Sequence, residues 1–254
     1  MNDLIKIEML EPGIVSLMLN RPERRNALSL DLLDQLCAGI EQLASERTNR
    51  VVILRAAGPV FSAGLDLREA ADSSLVLRSA DAVQRALNLL RETPLVMIAA
   101  VQGGAFAGGA GVMAACDIVI AASDSKFGFP EARRGLLPAL ICGVLKHKIR
   151  EGDLRELFLA GEVIEAGRAL TIGLVQRLVP VERLLEEALS VARSVVAGGP
   201  ETIRQTKALL NALNTQNDDD AGSHLIQTHL AARHSDEARE GLAAFNEKRE
   251  PNWP

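Results

Sequence analysis

Three short segments of this chain combine residue types that could do chemistry. Gly58-Pro-Val-Phe-Ser-Ala-Gly-Leu-Asp-Leu-Arg68 is rich in small residues and follows an apolar stretch; small residues let a ligand come close to the backbone. Gly103-Gly-Ala-Phe-Ala-Gly-Gly-Ala-Gly111 follows a second apolar stretch and precedes a helical one. Free N–H groups and the positive end of a helix dipole would favour negative charge there. Together the two loops could aim two donors at one oxygen. The third segment runs from Cys116-Asp117 to Lys126-Phe-Gly-Phe-Pro-Glu131 and ends on a carboxylate in largely apolar surroundings.

Each feature also has a plainer reading. Glycine-rich turns between strands and helices are common packing devices, a Glu after Pro is an ordinary helix N-terminal charge, and Asp117 reads as a structural hydrogen-bonding residue. Neither loop contains Gly-Lys-Ser/Thr or Gly-x-Gly-x-x-Gly, so nucleotide chemistry is not expected. Of the four histidines, none neighbours the loops. His224, His229 and His234 lie five apart, a spacing that does not line one helix face, and no metal site is expected beside them or His147.

The elements that must position these segments alternate. Residues 4–10 and 14–19 read as two short strands around Pro12-Gly13. Ser29 suits the N-cap of a helix running to about residue 47, with Leu32, Leu33, Leu36, Ile40 and Leu43 at helical spacing. A buried strand over 51–54 follows. The alternation returns with a strand over 95–101, the glycine loop, a helix after Gly109, strands over 118–121 and 174–179, and a helix over 182–196. This predicts an α/β core over 1–197. Beyond Gly198-Gly199-Pro200 the strands stop, and 201–213, 221–232 and 236–248 read as helices separated by polar breaks such as 214–220, which predicts a helical region over 198–254.

The 254 residues, 48% hydrophobic and 24% charged, suffice for a large core. A net charge of -5 argues against nucleic acid as a partner, so an anionic ligand must be held by local groups. Cys37, Cys116 and Cys142 lack paired or metal-ligand spacing, and Asp3, Lys6 and Glu8 interrupt what a signal peptide keeps apolar, so a cytoplasmic location is expected. Residues 94–116 carry no charge and reach the roughly 20 residues that cross a bilayer. Five glycines break that segment, which predicts a strand, a glycine loop and a helix, and no membrane span.

Arg21-Pro-Glu-Arg-Arg-Asn-Ala-Leu28, Phe61-Ser-Ala-Gly-Leu-Asp66, the glycine loop running into Cys116-Asp117, Phe127-Gly-Phe-Pro-Glu131 and Gly241-Leu-Ala-Ala-Phe-Asn-Glu-Lys-Arg249 resemble, in order and spacing, the enoyl-CoA hydratase/isomerase (crotonase) superfamily. The resemblance covers nearly the whole chain. It implies a spiral of ββα units with C-terminal helices that pack a homotrimer or a dimer of trimers. It also implies an acyl-CoA thioester as substrate and no separate cofactor, coenzyme A being part of that substrate. On matching positions, the N–H groups of Leu65 and Gly108 would form an oxyanion hole, where one donor is worth about 3 kcal/mol. Glu131 would be the acid/base. Contacts to CoA map to Ala63, Asp66, Leu67, Arg68, Gly109 and Gly111, with Arg24 near the phosphates. Phe245 and Lys248 would complete the adenine end from a neighbouring subunit.

The chain departs from the two-carboxylate hydratases, because Gly111 stands where they carry their first Glu. Ala139 replaces the Asp of dienoyl isomerases and dehalogenases, and the chain has no Tyr to serve as proton donor. Ala139-Leu-Ile-Cys142 replaces a glycine-rich turn and predicts a more apolar acyl end. A hydratase using Glu131 alone, similar to the methylglutaconyl-CoA type, is the leading expectation, with Arg133 or Arg134 as cation for a carboxylated acyl group. A Δ3,Δ2-enoyl-CoA isomerase is the alternative, and a non-catalytic acyl-CoA-binding scaffold the second.

Overall fold

The computed structural model describes residues 3–214 and 218–253, the side chains of 218–224 excepted. In chain order its elements are β1 (Ile5–Glu11), β2 (Ile14–Leu19), α1 (Leu30–Ser45), β3 (Val51–Ala56), α2 (Leu67–Ala70), α3 (Val76–Glu92), β4 (Val96–Val101), β5 (Gly104–Phe106), α4 (Gly108–Ala115), β6 (Ile118–Ala122), β7 (Lys126–Gly128), α5 (Ala139–Leu145), α6 (Glu151–Ala160), β8 (Val163–Glu165), α7 (Ala166–Thr171), β9 (Arg177–Val179), α8 (Leu184–Val196), α9 (Pro200–Leu213), α10 (Asp218–Arg233) and α11 (Asp236–Glu247). Of the expected polar break over 214–220, residues 215–217 lie outside the described residues, as does the side chain of His224, while 218–220 are already helical. The chain divides into two compact units, Met1–Ala192 and Arg193–Pro254.

In the first unit β1 and β2 form an antiparallel hairpin, and β2, β3, β4, β6 and β9 continue as a parallel sheet in the order β1-β2-β3-β4-β6-β9. Parallel strands are covered on both faces, and every residue of β4, Val-Met-Ile-Ala-Ala-Val, is buried. α1 supplies part of the cover through Leu32, Leu33, Leu36, Cys37, Ile40 and Leu43. Full burial of one such leucine or isoleucine contributes about 1.5–3 kcal/mol. The helix starts where expected, because Ser29 Oγ accepts from the Leu32 N–H at 3.3 Å. α3 buries Val83, Ala86, Leu87 and Leu90.

A second sheet, β5-β7-β8, corrects the reading of the glycine loop, since residues 104–106 are a strand parallel to β7. A Cβ at Gly104 (φ 143) would lie 2.2 Å from Lys126 O, so only glycine permits this pairing. The helix begins at Gly108, one residue ahead of Gly109. The expected strand over 174–179 shrinks to Arg177–Val179, because the N–H groups of Leu174 and Val175 both bond back to Ala169 O at the end of α7. The charge-free segment is distributed over β4, β5 and α4. Among the described residues no helix is long and apolar enough to cross a membrane.

In the second unit Glu237 of α11 is buried and accepts from Glu201 N (2.7 Å), Thr202 N (2.8 Å) and Thr202 Oγ1 (2.8 Å), capping α9 from a distance in sequence. Trp253 Nε1 donates to Ala197 O at 2.9 Å, and its ring lies against Gly241. Leu210, Leu225, Ile226, Leu230, Leu242 and Phe245 stay exposed.

Candidate active site

α4 starts immediately after Ala107, whose φ of 49° and ψ of −126° are rare for a residue with a side chain. The Ala107 N–H donates to Gly128 O at 2.9 Å and its carbonyl accepts from Gly111 N at 3.1 Å, which holds that conformation and leaves Gly108 N–H as the first donor of the helix. Gly64 (φ 93) brings the other loop against it: a Cβ there would lie 2.9 Å from Phe106 O and 3.6 Å from Gly108 N. Leu28 brackets Leu65, donating to Gly64 O at 2.8 Å and accepting from Asp66 N at 3.1 Å. Among the described residues neither the Leu65 nor the Gly108 N–H donates a hydrogen bond. Two unengaged donors therefore stand side by side, one at the positive end of a helix.

A residue to which the sequence pattern assigns no role, Asn26, shapes the first of these loops. It is fully buried at φ 51°. Its Nδ2 donates to Ala57 O (2.9 Å) and Val60 O (2.8 Å), its Oδ1 accepts from Arg21 N (2.9 Å), and its carbonyl accepts from Ser62 Oγ (2.8 Å). An Asn flanked by turn residues is a left-handed candidate, which is the one signal that could find it.

The β5–β7 ladder and the Ala107–Gly128 bond carry the strand leading to Glu131 alongside the start of α4. Glu131 Oε2 is buried and has no hydrogen-bond partner among the described residues. Burial pushes its pKa above the ordinary glutamate value, opposed by its own backbone N–H and by the charge of Arg134. A carboxylate whose pKa is raised is a stronger base than an ordinary glutamate and can take a proton and pass it on.

The remaining expected residues separate into groups. A Cβ at Gly109 would meet Ser62 Oγ at 2.5 Å, so this glycine lets α4 approach the first loop. A Cβ at Gly111 would lie 2.4 Å from Ile141 Cγ2. The Asp66 carboxylate caps α2 through Arg68 N (3.0 Å) and pairs with Arg21 Nη1 (2.7 Å). Burial opposes its ionisation, yet these bonds and the charges of Arg21 and Arg24 hold its pKa below the ordinary aspartate value. Ala63 donates its N–H to Arg25 O, while Leu67, Arg68 and Arg24 are exposed. The two arginines after Glu131 part company. Arg133 Nε is bound to Ala160 O at 2.9 Å and its guanidinium lies near Glu162, whereas Arg134 acts on Glu131. Asp117 Oδ2 accepts from Met97 N at 2.7 Å, a structural bond as expected. Phe245, 81% exposed, and Lys248, in the left-handed conformation closing α11, belong to the second unit.

A groove of about 570 Å3 beside Arg21 is lined by Glu23, Asp31, Asp34 and Glu69, a charge unsuited to a phosphate-bearing ligand. Among the described residues no group of three His, Cys, Asp or Glu could hold a metal ion.

The sequence pattern of the enoyl-CoA hydratase/isomerase family matches residues 10–254. The chain is 34% identical over 253 residues to enoyl-CoA hydratase domain-containing protein 3, mitochondrial, of Mus musculus, covering 96% of this chain and 82% of that one. Its fold is similar to the crystal structures of enoyl-CoA hydratase from Bacillus anthracis (TM-score 0.93, 32% identity, 98% of each chain covered) and from Mycobacterium smegmatis (TM-score 0.94, 29% identity, 98% of each).

Proposed function

This chain belongs to the enoyl-CoA hydratase/isomerase family and has its crotonase fold, and from that premise we propose that it hydrates a 2-enoyl thioester of coenzyme A with Glu131 as its one acid–base group. The observation that carries this reading is the buried Glu131 Oε2, which has no hydrogen-bond partner among the described residues. The N–H groups of Leu65 and Gly108 receive the thioester oxygen. Glu131 takes a proton from water as the water oxygen bonds to C3, and the C2=C3 electrons move to the thioester as an enolate. The two donors stabilise the enolate more than the neutral carbonyl, because their dipoles are already aimed. Glu131 then returns the proton to C2, leaving a 3-hydroxyacyl thioester and the carboxylate restored.

Coenzyme A would run past Ala63, Asp66, Leu67 and Arg68, with the exposed Arg24 and Arg68 available to its phosphates. Phe245 and Lys248 would close on the adenine of a neighbouring copy, in a homotrimer or dimer of trimers. Arg134 is the cation we assign to a carboxylated acyl group.

One observation favours a second reaction. Ile141 covers Gly111, so no second polar side chain stands there to hold water. The same carboxyl could instead carry a proton from C2 to C4 of a 3-enoyl thioester, which needs no water.

The test follows enoyl-thioester absorbance with a straight 2-enoyl-CoA, methylglutaconyl-CoA and a 3-enoyl-CoA. A hydratase consumes the 2-enoyl signal, and Glu131→Gln lowers that rate by roughly 10²–10⁴-fold. Appearance of the signal from the 3-enoyl substrate alone identifies an isomerase. No reaction with any of the three, with CoA thioesters still bound, identifies a binding scaffold.

A further inference from the structure

We propose that Ile141 sets the acyl specificity of this site by filling the face of α4 one turn beyond the Gly108 donor. The proposal deepens the acyl-thioester reading and rests on it. Residues three apart on a helix stack on one face, so position 111 faces the same side as Gly108. A Cβ at Gly111 would lie 2.4 Å from Ile141 Cγ2, 3.1 Å from Ile141 Cβ and 3.7 Å from Leu87 Cδ2. The clashing atoms belong to a β-branched side chain only 4% exposed, which has little freedom to swing aside. Gly111 and Ile141 are therefore a fitted pair, in which one residue lacks a side chain because the other occupies its place.

Ile141 and Glu131 belong to one short stretch of chain. The stretch from Glu131 to α5 is folded back on itself, with Leu136 N–H donating to Glu131 O at 3.0 Å and Gly135 left-handed at φ 68°. One short stretch thus supplies the proton carrier at its start and the apolar wall at its end. An acyl chain whose thioester oxygen meets Gly108 N–H passes its first carbons over Gly111 and against Ile141. The size of the Ile141 side chain then sets how large a branch at C3 the site admits.

The test needs no turnover. Calorimetry gives Kd for two saturated thioesters, butanoyl-CoA and 3-methylbutanoyl-CoA, on wild type and Ile141→Ala. The variant is expected to shift the Kd ratio about tenfold toward the branched ligand, in the range that one methyl group is worth in an apolar site. Equal weakening of both ligands overturns the specificity role and makes Ile141 a packing residue. In parallel, Gly111→Ala is made in both backgrounds. Beside Ile141 it lowers Tm; in the Ile141→Ala background, where the place of the clashing atoms is open, the usual helix preference for Ala raises Tm or leaves it unchanged. The same loss in both backgrounds overturns the fitted pair. Failure of wild type to bind either thioester would sink the acyl-CoA reading itself, while the Tm cycle would still decide the relation of Ile141 to Gly111.

Discussion

Glu131 concentrates the tension between stability and chemistry in this chain. Its folded pKa is raised by burial, so the folded state binds the proton more tightly than the unfolded chain. The stabilisation linked to that proton is present below the ordinary glutamate pKa and is lost as the pH rises through the raised one. Glu131→Gln should therefore melt above wild type at neutral pH, with the difference vanishing in acid; a gap in Tm independent of pH would refute the linkage. Arg134 works in the opposite sense by favouring the carboxylate. Arg134→Ala should move the acidic limb of the kcat/KM profile to higher pH, because the base form is lost as pH falls through a pKa now raised further. The same variant should lose any preference for a carboxylated over a straight acyl group, measured as the ratio of kcat/KM values.

At the scale of elements, the site is a meeting of a turn, a helix start and a strand end, each held by backbone bonds. Asn26 closes the turn. Asn26→Ala removes two donors from the carbonyls of Ala57 and Val60 and the acceptor of Arg21 N–H, and places Ala in a left-handed conformation. We expect a loss of about 2–4 kcal/mol, from unsatisfied buried groups and backbone strain together, and a fall in kcat at temperatures where the variant remains folded; denaturant melts and rates on the same samples check both. The strands of the six-stranded sheet and the helix from Ser29 are legible in the sequence because apolar runs and a capping residue mark them locally. α3 escapes that reading although Val83, Ala86, Leu87 and Leu90 recur at helical spacing, since its first turn has no capping side chain and follows a polar stretch. β5 is hidden inside the glycine loop, because three residues are too few to show alternation. Glu131 is visible through its neighbours in sequence. The contact of Gly111 with Ile141 spans 30 positions and arises from packing of α4 on α5, which no local pattern encodes.

At the scale of the molecule, the second unit leaves Leu210, Leu225, Ile226, Leu230, Leu242 and Phe245 exposed on three helices, the kind of apolar surface that association covers. Self-association should give a particle three or six times the 27.2 kDa chain by sedimentation, and Ile226→Glu with Leu230→Glu should shift it toward the single chain. A particle of one chain at micromolar concentration would refute the assembly. Trp253 gives the same unit a private optical signal. It is the chain's one tryptophan, there is no tyrosine to transfer energy to it, and it is bonded to Ala197 within the second unit. Indole fluorescence therefore reports the C-terminal helices and far-ultraviolet dichroism reports the whole chain, so two melting curves from one cuvette reveal whether the helices let go before the sheet.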